Sequence, residues 1–170
     1  IMAGPLTRGS ASTWAAKKWS QSSAKGLKVY IEATGGENVP EGGFVYASNH
    51  ESLVDILVLG AALPGDFKWA AKRSVMNIPF LGWHLRRSGH MLVDRRRPDR
   101  QGIFHWATSL PSRGLSLIVF PEGTRSRDGM VAPFKAGSFF PAVQTGISVV
   151  PLSVVGQSGD GLDDDADHEL

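Results

Sequence analysis

The sequence contains no cysteine among its 170 residues. That excludes a disulfide scaffold, a thiolate zinc site and a cysteine nucleophile. It also lacks a long apolar run: the longest, Ile56–Leu63, is far short of the ~18 residues that a membrane-spanning helix needs. No apolar segment followed by a small-residue cleavage site lies near the N-terminus, so no signal peptide is expected. The H-E-x-x-H pattern of zinc proteases is absent. So are an internal repeat and the aromatic ladder of a single-strand nucleic-acid binder. What is present is 42% hydrophobic and 20% charged side chains, the balance of a globular chain rather than a disordered or fibrous one. The length suits one domain of about 100–200 residues.

The net charge of +2 conceals an asymmetry. Six acids and no Lys or Arg fall in residues 160–170, leaving 18 basic against 10 acidic side chains in residues 1–159, a net of +8. Residues 1–30 hold Arg8, Lys17, Lys18, Lys25 and Lys28 and no acid. A basic body points to an anionic partner, whether nucleic acid, anionic lipid or a phosphorylated substrate.

Strand and helix patterns alternate. Leu27–Ala33, Phe44–Ser48, Phe67–Ala71, Met91–Val93, Leu115–Phe120 and Ile147–Val155 read as strands, Phe44–Ser48 and the last two as buried ones. Residues 13–25, Ser52–Leu63, Pro98–Leu110 and Phe134–Thr145 read as helices, and Arg73–Leu85 as one broken by Pro79 and Gly82. The expected class is α/β, a mixed, mostly parallel sheet with helices on both faces. Residues 1–26 form a basic N-terminal segment, 27–155 the main domain and 156–170 an acidic, Gly- and Asp-rich disordered tail. Trp14 and Trp19 beside lysines suit a helix lying in a membrane interface, and equally a packed N-terminal helix. Trp69, Phe80 and Trp83, interleaved with basic residues, suit an interfacial belt or ordinary packing.

Four short blocks carry candidate chemistry. Asn49-His50-Glu51-Ser52-Leu53-Val54-Asp55 follows a strand and opens a helix. Five helical residues turn about 500°, so His50 and Asp55 meet only if His50 lies in the loop and folds back. They would then form the base and its orienter, with no serine or cysteine nucleophile beside them; the plainer alternative is a capped helix with a hydrogen-bonded histidine. Phe120-Pro121-Glu122-Gly123-Thr124-Arg125 sits past the end of an apolar strand, where open α/β sheets bind ligands. Arg125 and the main-chain amides around Gly123 suit a phosphate, while an internal Glu–Arg pair remains open. Gly89–Arg95 again places basic residues after a strand, with Arg95 a phosphate donor candidate. Val150-Pro151-Leu152 puts a proline where a central strand position is excluded.

Together these blocks resemble the glycerolipid acyltransferase family, which shows N-H-x-x-x-x-D, G-x-x-x-x-D-R, F-P-E-G-T-R and V-P blocks in this order. Ala71-Lys72-Arg73-Ser74 and Pro133-Phe134-Lys135-Ala136-Gly137 resemble the family's connecting segments. The likeness covers about residues 27–155 and is nearest the branch that acylates lysophosphatidic acid. It implies a glycerol-phosphate-acyltransferase-like fold. It also implies transfer of a fatty acyl group from acyl-CoA or acyl-carrier protein to the free hydroxyl of lysophosphatidic acid, giving phosphatidic acid. His50 would be the general base and Asp55 its orienter. Arg125, Arg95 and Lys72 would hold the phosphate. Glu122, Gly123 and Thr124 would shape the acceptor site, Glu122 with a hydrogen bond to glycerol, and Pro151 would lie near the thioester. No metal or bound cofactor is implied, and no nucleic-acid partner. The implied location is the cytoplasmic face of a membrane, with peripheral attachment. The family continues beyond the V-P block, so a truncated C-terminal part is expected. Acylation of another lysophospholipid or of glycerol 3-phosphate, and an impaired lipid-binding module, are the alternatives.

Overall fold

Short apolar runs form five strands: β1 (Val45–Ser48), β2 (Phe67–Lys72), β3 (Met91–Val93), β4 (Ser116–Val119) and β5 (Val149–Leu152). The computed structural model describes residues 8–77, 82, 85, 88–94, 97–126 and 128–156. The strands make one sheet in the order β3-β2-β4-β1-β5, and every neighbouring pair is parallel. Parallel strands need crossovers, and here helices supply cover for both faces.

Side chains alternate along each strand, so neighbours in the same register share a face. Tyr46 pairs with Ile118, and both pack on Leu59 and Leu63 at the C-terminal part of helix α2 (Val54–Ala62). Val45 pairs with Leu117, and both face the other way, onto Ala107 and Leu110 of helix α3 (Arg100–Ser109) and its end, and Ala142 of helix α4 (Phe140–Thr145). Each fully buried large apolar side chain contributes about 1.5–3 kcal/mol. β1 therefore leads into a helix on one face, while the segment after β4 reaches a helix on the opposite face. Their carboxyl ends lie side by side. Where adjacent connections diverge in this way, the strand ends are the usual ligand position in such sheets.

Helix α1 (Arg8–Gly26) is longer than the expected 13–25. It lies on α2 through small residues: Ser20 and Ala24 are buried, and a Cβ added to Gly60 would collide with Ser20 Oγ. Lys17 Nζ donates to the Leu63 carbonyl at 3.2 Å, at the C-terminal end of α2, where a cation is favoured. The Thr13 hydroxyl donates to Asp66. The helix ends in a Schellman turn, with Val29 N donating to Ala24 O and Lys28 N to Lys25 O. Lys28 takes the left-handed position, φ +57°, that glycine usually fills.

Several sequence expectations need correction. Leu27–Ala33 is not a strand. Its alternation suits any extended segment covered on one side, and it joins no ladder. Among the described residues β5 is an edge strand, half-exposed rather than buried, because β1 is its single neighbour there. Pro151 fits that edge, where a missing N–H can face away from the ladder. Phe134–Thr145 splits at its proline: residues Ala136–Phe139 form a 3-10 turn and α4 begins at Phe140, with Pro141 in its first turn. Pro98 precedes α3, whose N-cap Asp99 accepts a hydrogen bond from Gly102 N at 2.8 Å. Arg73–Asn77 is a 3-10 turn. Most of the expected broken helix beyond it, with Phe80 and Trp83, lies outside the described residues, as do Arg95 and most of the acidic tail.

Candidate active site

Tyr46, Ser48 and His50 alternate onto one side of β1, and Phe120 continues the parity of Ile118 on neighbouring β4. The register thus carries His50 over Phe120: the rings stack with centroids 4.0 Å apart and planes 20° apart. His50 lies beyond the strand and before the helix, as the fold-back geometry required. Its Nδ1 donates to Asp55 Oδ2 at 2.5 Å. A carboxylate can only accept, so Nδ1 carries the proton and Nε2 presents a lone pair. The His50 side chain is 16% exposed and that of Asp55 0% exposed.

Asp55 stands in the first turn of α2, where a negative charge is stabilised by the helix dipole. Oδ2 also accepts from the main-chain N–H of Glu51 at 2.9 Å and Ser52 at 3.2 Å. Burial pushes the Asp55 carboxyl up. Hydrogen bonds from His50, Glu51 and Ser52, and attraction to a protonated His50, outweigh burial and hold it below its ordinary value. Among the described residues Oδ1 is buried without a hydrogen-bond partner, as is the Tyr46 hydroxyl; burial raises the pKa of that phenol.

The loop after β4 clamps His50 from both sides. Glu122 Oε1 accepts from His50 N at 2.8 Å, and Ser126 N donates to His50 O at 2.8 Å. Glu122 Oε2 accepts from Ala132 N at 2.9 Å. Both oxygens of this 2%-exposed carboxylate therefore hold main chain, which makes Glu122 a positioning residue. The hydrogen bond to glycerol expected of it would have to use the second lone pair of one of these oxygens. Pro121 and Glu122 form a turn closed by Gly123 N to Phe120 O at 2.9 Å, and Gly123 has φ +74°, a backbone conformation that favours glycine. Asn49 ties the end of β1 to the segment after β5: Nδ2 donates to Val154 O and Oδ1 accepts from Val154 N, both at 2.8 Å.

Thr124 is exposed and Arg125 half-buried on the same loop. Lys72 is exposed at the carboxyl end of β2, beside Val93 of β3, and so at the same end of the sheet as His50. Pro151 pairs with Ala47, two residues before Asn49. Among the described residues no three His, Asp or Glu side chains gather as a metal site. Phe120 and Asn49 were visible in their blocks, but their contacts to His50 and Val154 required the register. Ser126 carried no signal of its own.

The chain belongs to the acyltransferase family: a family profile described as acyltransferase matches residues 30–155. Among curated proteins it is 38% identical over 145 residues to the chloroplastic 1-acyl-sn-glycerol-3-phosphate acyltransferase of Arabidopsis thaliana, covering 83% of this chain and 40% of that protein. It is 34% identical over 132 residues to the 1-acyl-sn-glycerol-3-phosphate acyltransferase of Saccharomyces cerevisiae, covering 75% of this chain and 44% of that protein. The chain thus spans about two fifths of the length of these relatives. Among solved structures, the 1-acyl-sn-glycerophosphate acyltransferase of Thermotoga maritima superposes with a TM-score of 0.71 at 31% identity, over 86% of this chain and 60% of that one.

Proposed function

We propose that this chain is the catalytic part of an O-acyltransferase that moves a fatty acyl group from an acyl thioester to the free hydroxyl of lysophosphatidic acid, giving phosphatidic acid. The observation that carries the proposal is His50, bonded through Nδ1 to buried Asp55 and clamped at its main chain by Glu122 and Ser126. Likeness to proteins named for this activity sets the acceptor. His50 Nε2 takes the proton of the acceptor hydroxyl as its oxygen attacks the thioester carbonyl. The C–S bond then breaks, and the proton passes from His50 to the departing thiolate. Asp55 holds the tautomer and stabilises the imidazolium formed between these steps. No acyl-enzyme is needed, since the acceptor oxygen itself attacks the thioester carbonyl. General-base catalysis contributes about 10²–10⁴ in rate.

Arg125, Lys72 and Arg95 hold the acceptor's phosphate, with Gly123 and Thr124 shaping the site and Pro151 beside the thioester. The donor is acyl-CoA or acyl-carrier protein. Attachment is to a membrane surface: Trp14 and Trp19 on α1 are 66% and 44% exposed, with exposed Lys18 four residues after the first and beside the second. Among the described residues no helix is long and apolar enough to cross a membrane. The test is thiol release from palmitoyl-CoA and from palmitoyl-acyl-carrier protein in detergent micelles, with and without lysophosphatidic acid. Wild type should release thiol only with acceptor, and His50→Ala should lose at least 100-fold. Equal release by the folded mutant removes the base assigned here.

A further inference from the structure

The main chain of Lys135 is pinned to the loop after β4 by a 2.8 Å hydrogen bond from its N–H to the Pro121 carbonyl. Its side chain then runs lengthwise over Gly123. A Cβ added to Gly123 would collide with Lys135 Nζ and stand 3.1 Å from both Cδ and Cε. The ammonium makes no hydrogen bond or ion pair with any described residue. The acid nearest in the loop, Glu122, has both oxygens bonded to main-chain N–H groups. An uncompensated cation is therefore laid across the residue that follows the His50 clamp. Glycine at 123 is what leaves room for it.

We infer that Lys135 is an anion-binding residue of the active-site loop, taking a phosphate monoester of a substrate. The inference rests on the proposed function for the identity of that substrate. In lysophosphatidic acid the reacting hydroxyl and the phosphate ester occupy neighbouring carbons. A hydroxyl at His50 Nε2 thus brings the phosphate to the loop that clamps His50. A flexible ammonium on that loop follows a tumbling phosphate as a point charge, which a planar guanidinium does less readily. The same chemistry is offered by the 3′-phosphate of coenzyme A, a second source of the monoester.

The test separates the two sources and does not depend on turnover. Wild type, Lys135→Met, Lys135→Arg and Gly123→Ala are titrated at equilibrium with 1-oleoyl-glycerol 3-phosphate, with 1-oleoyl-glycerol in the same micelles, with coenzyme A and with its 3′-dephospho form. Amine-labelling of Lys135 is followed by mass spectrometry in each. One phosphorylated ligand should protect Lys135 and its phosphate-free counterpart should not. Lys135→Met should weaken that ligand about 10–100-fold, the range of a hydrogen bond to a charged group. Lys135→Arg should restore most of the loss. Gly123→Ala should weaken the same ligand while keeping the lysine, by pushing its ammonium aside. Protection by lysophosphatidic acid identifies the acceptor site, and protection by coenzyme A the donor site. Equal weakening of oleoyl-glycerol and its phosphate, or a lower Tm with unchanged affinities, makes Lys135 a structural counter-charge and overturns the inference. Tight binding by all variants without protection does the same, and leaves the proposed function standing. No binding of any phosphorylated ligand by wild type overturns both.

Discussion

Asp55→Asn tests the site at its most constrained atom. Three donors converge on Oδ2: His50 Nδ1 and the N–H groups of Glu51 and Ser52. In the mutant the amide oxygen must take that position, because an NH2 there would face three donors. Each hydrogen bond then loses its charge assistance, about 1 kcal/mol apiece. The NH2 falls where Oδ1 was, a position with no hydrogen-bond partner among the described residues, and an unpaired buried donor costs about 1–3 kcal/mol. Burying a neutral amide in place of a charge offsets part of this, leaving a loss of about 2–4 kcal/mol at neutral pH. The folded carboxyl titrates below its ordinary value. Its stabilisation is therefore fully present above the unfolded value, about 3.9, and is lost as pH falls through the folded value. Urea unfolding of wild type and mutant at pH 7 and at steps below about pH 4 should show a gap that closes in acid. Turnover at neutral pH should fall about 10²–10⁴-fold. A mutant of wild-type stability at pH 7 would refute the account of Asp55. A stable mutant within threefold of wild-type turnover would refute the pairing of Asp55 with a working base.

Three further outcomes follow from the same geometry. Glu122→Gln places an NH2 against a main-chain donor, either His50 N or Ala132 N, and should cost about 1–3 kcal/mol and lower kcat while leaving KM for the acceptor close to wild type; a raised KM with intact kcat would make Glu122 a substrate contact instead. Tyr46→Phe removes a buried hydroxyl with no partner among the described residues and should stabilise the fold by about 1 kcal/mol in denaturant unfolding; a loss of that size would mean the hydroxyl is bonded. Lys28→Gly relieves a left-handed residue at the end of α1 and should raise stability by about 0.5–1 kcal/mol, seen as a higher Tm; an unchanged or lower Tm would show that Lys28 carries no strain there.

The strand ends show how an ordinary sheet makes this site. Strands β1 and β4 pair in register, so the residues that follow them, His50 and Phe120–Glu122, arrive together. One chain segment brings the imidazole and its carboxylate, and the other brings the surface and the clamp. Neither would hold the ring alone.

Local patterns in the sequence were enough for the α/β class and for four of the five strands nearly to the residue, and they left the meeting of His50 with Asp55 open until the family resemblance pointed to it. These depend on contacts a few residues apart: side-chain alternation along a strand, and a loop residue reaching back to the first turn of the next helix. The false strand at Leu27–Ala33 shares the alternation of a real one but has no neighbour to bond. The exposure of β5 and the central place of β4 are likewise a matter of which strands lie beside which. The backbone hydrogen bonds of an extended segment run to other parts of the chain, and no local pattern names the partner. The inward turn of Glu122 depends on His50, 72 residues away along the chain. The lysine laid over Gly123 comes from a separate segment after the loop. Short-range geometry thus placed His50 beside Asp55, and tertiary pairing decided which main chain clamps the histidine and which cation stands over Gly123.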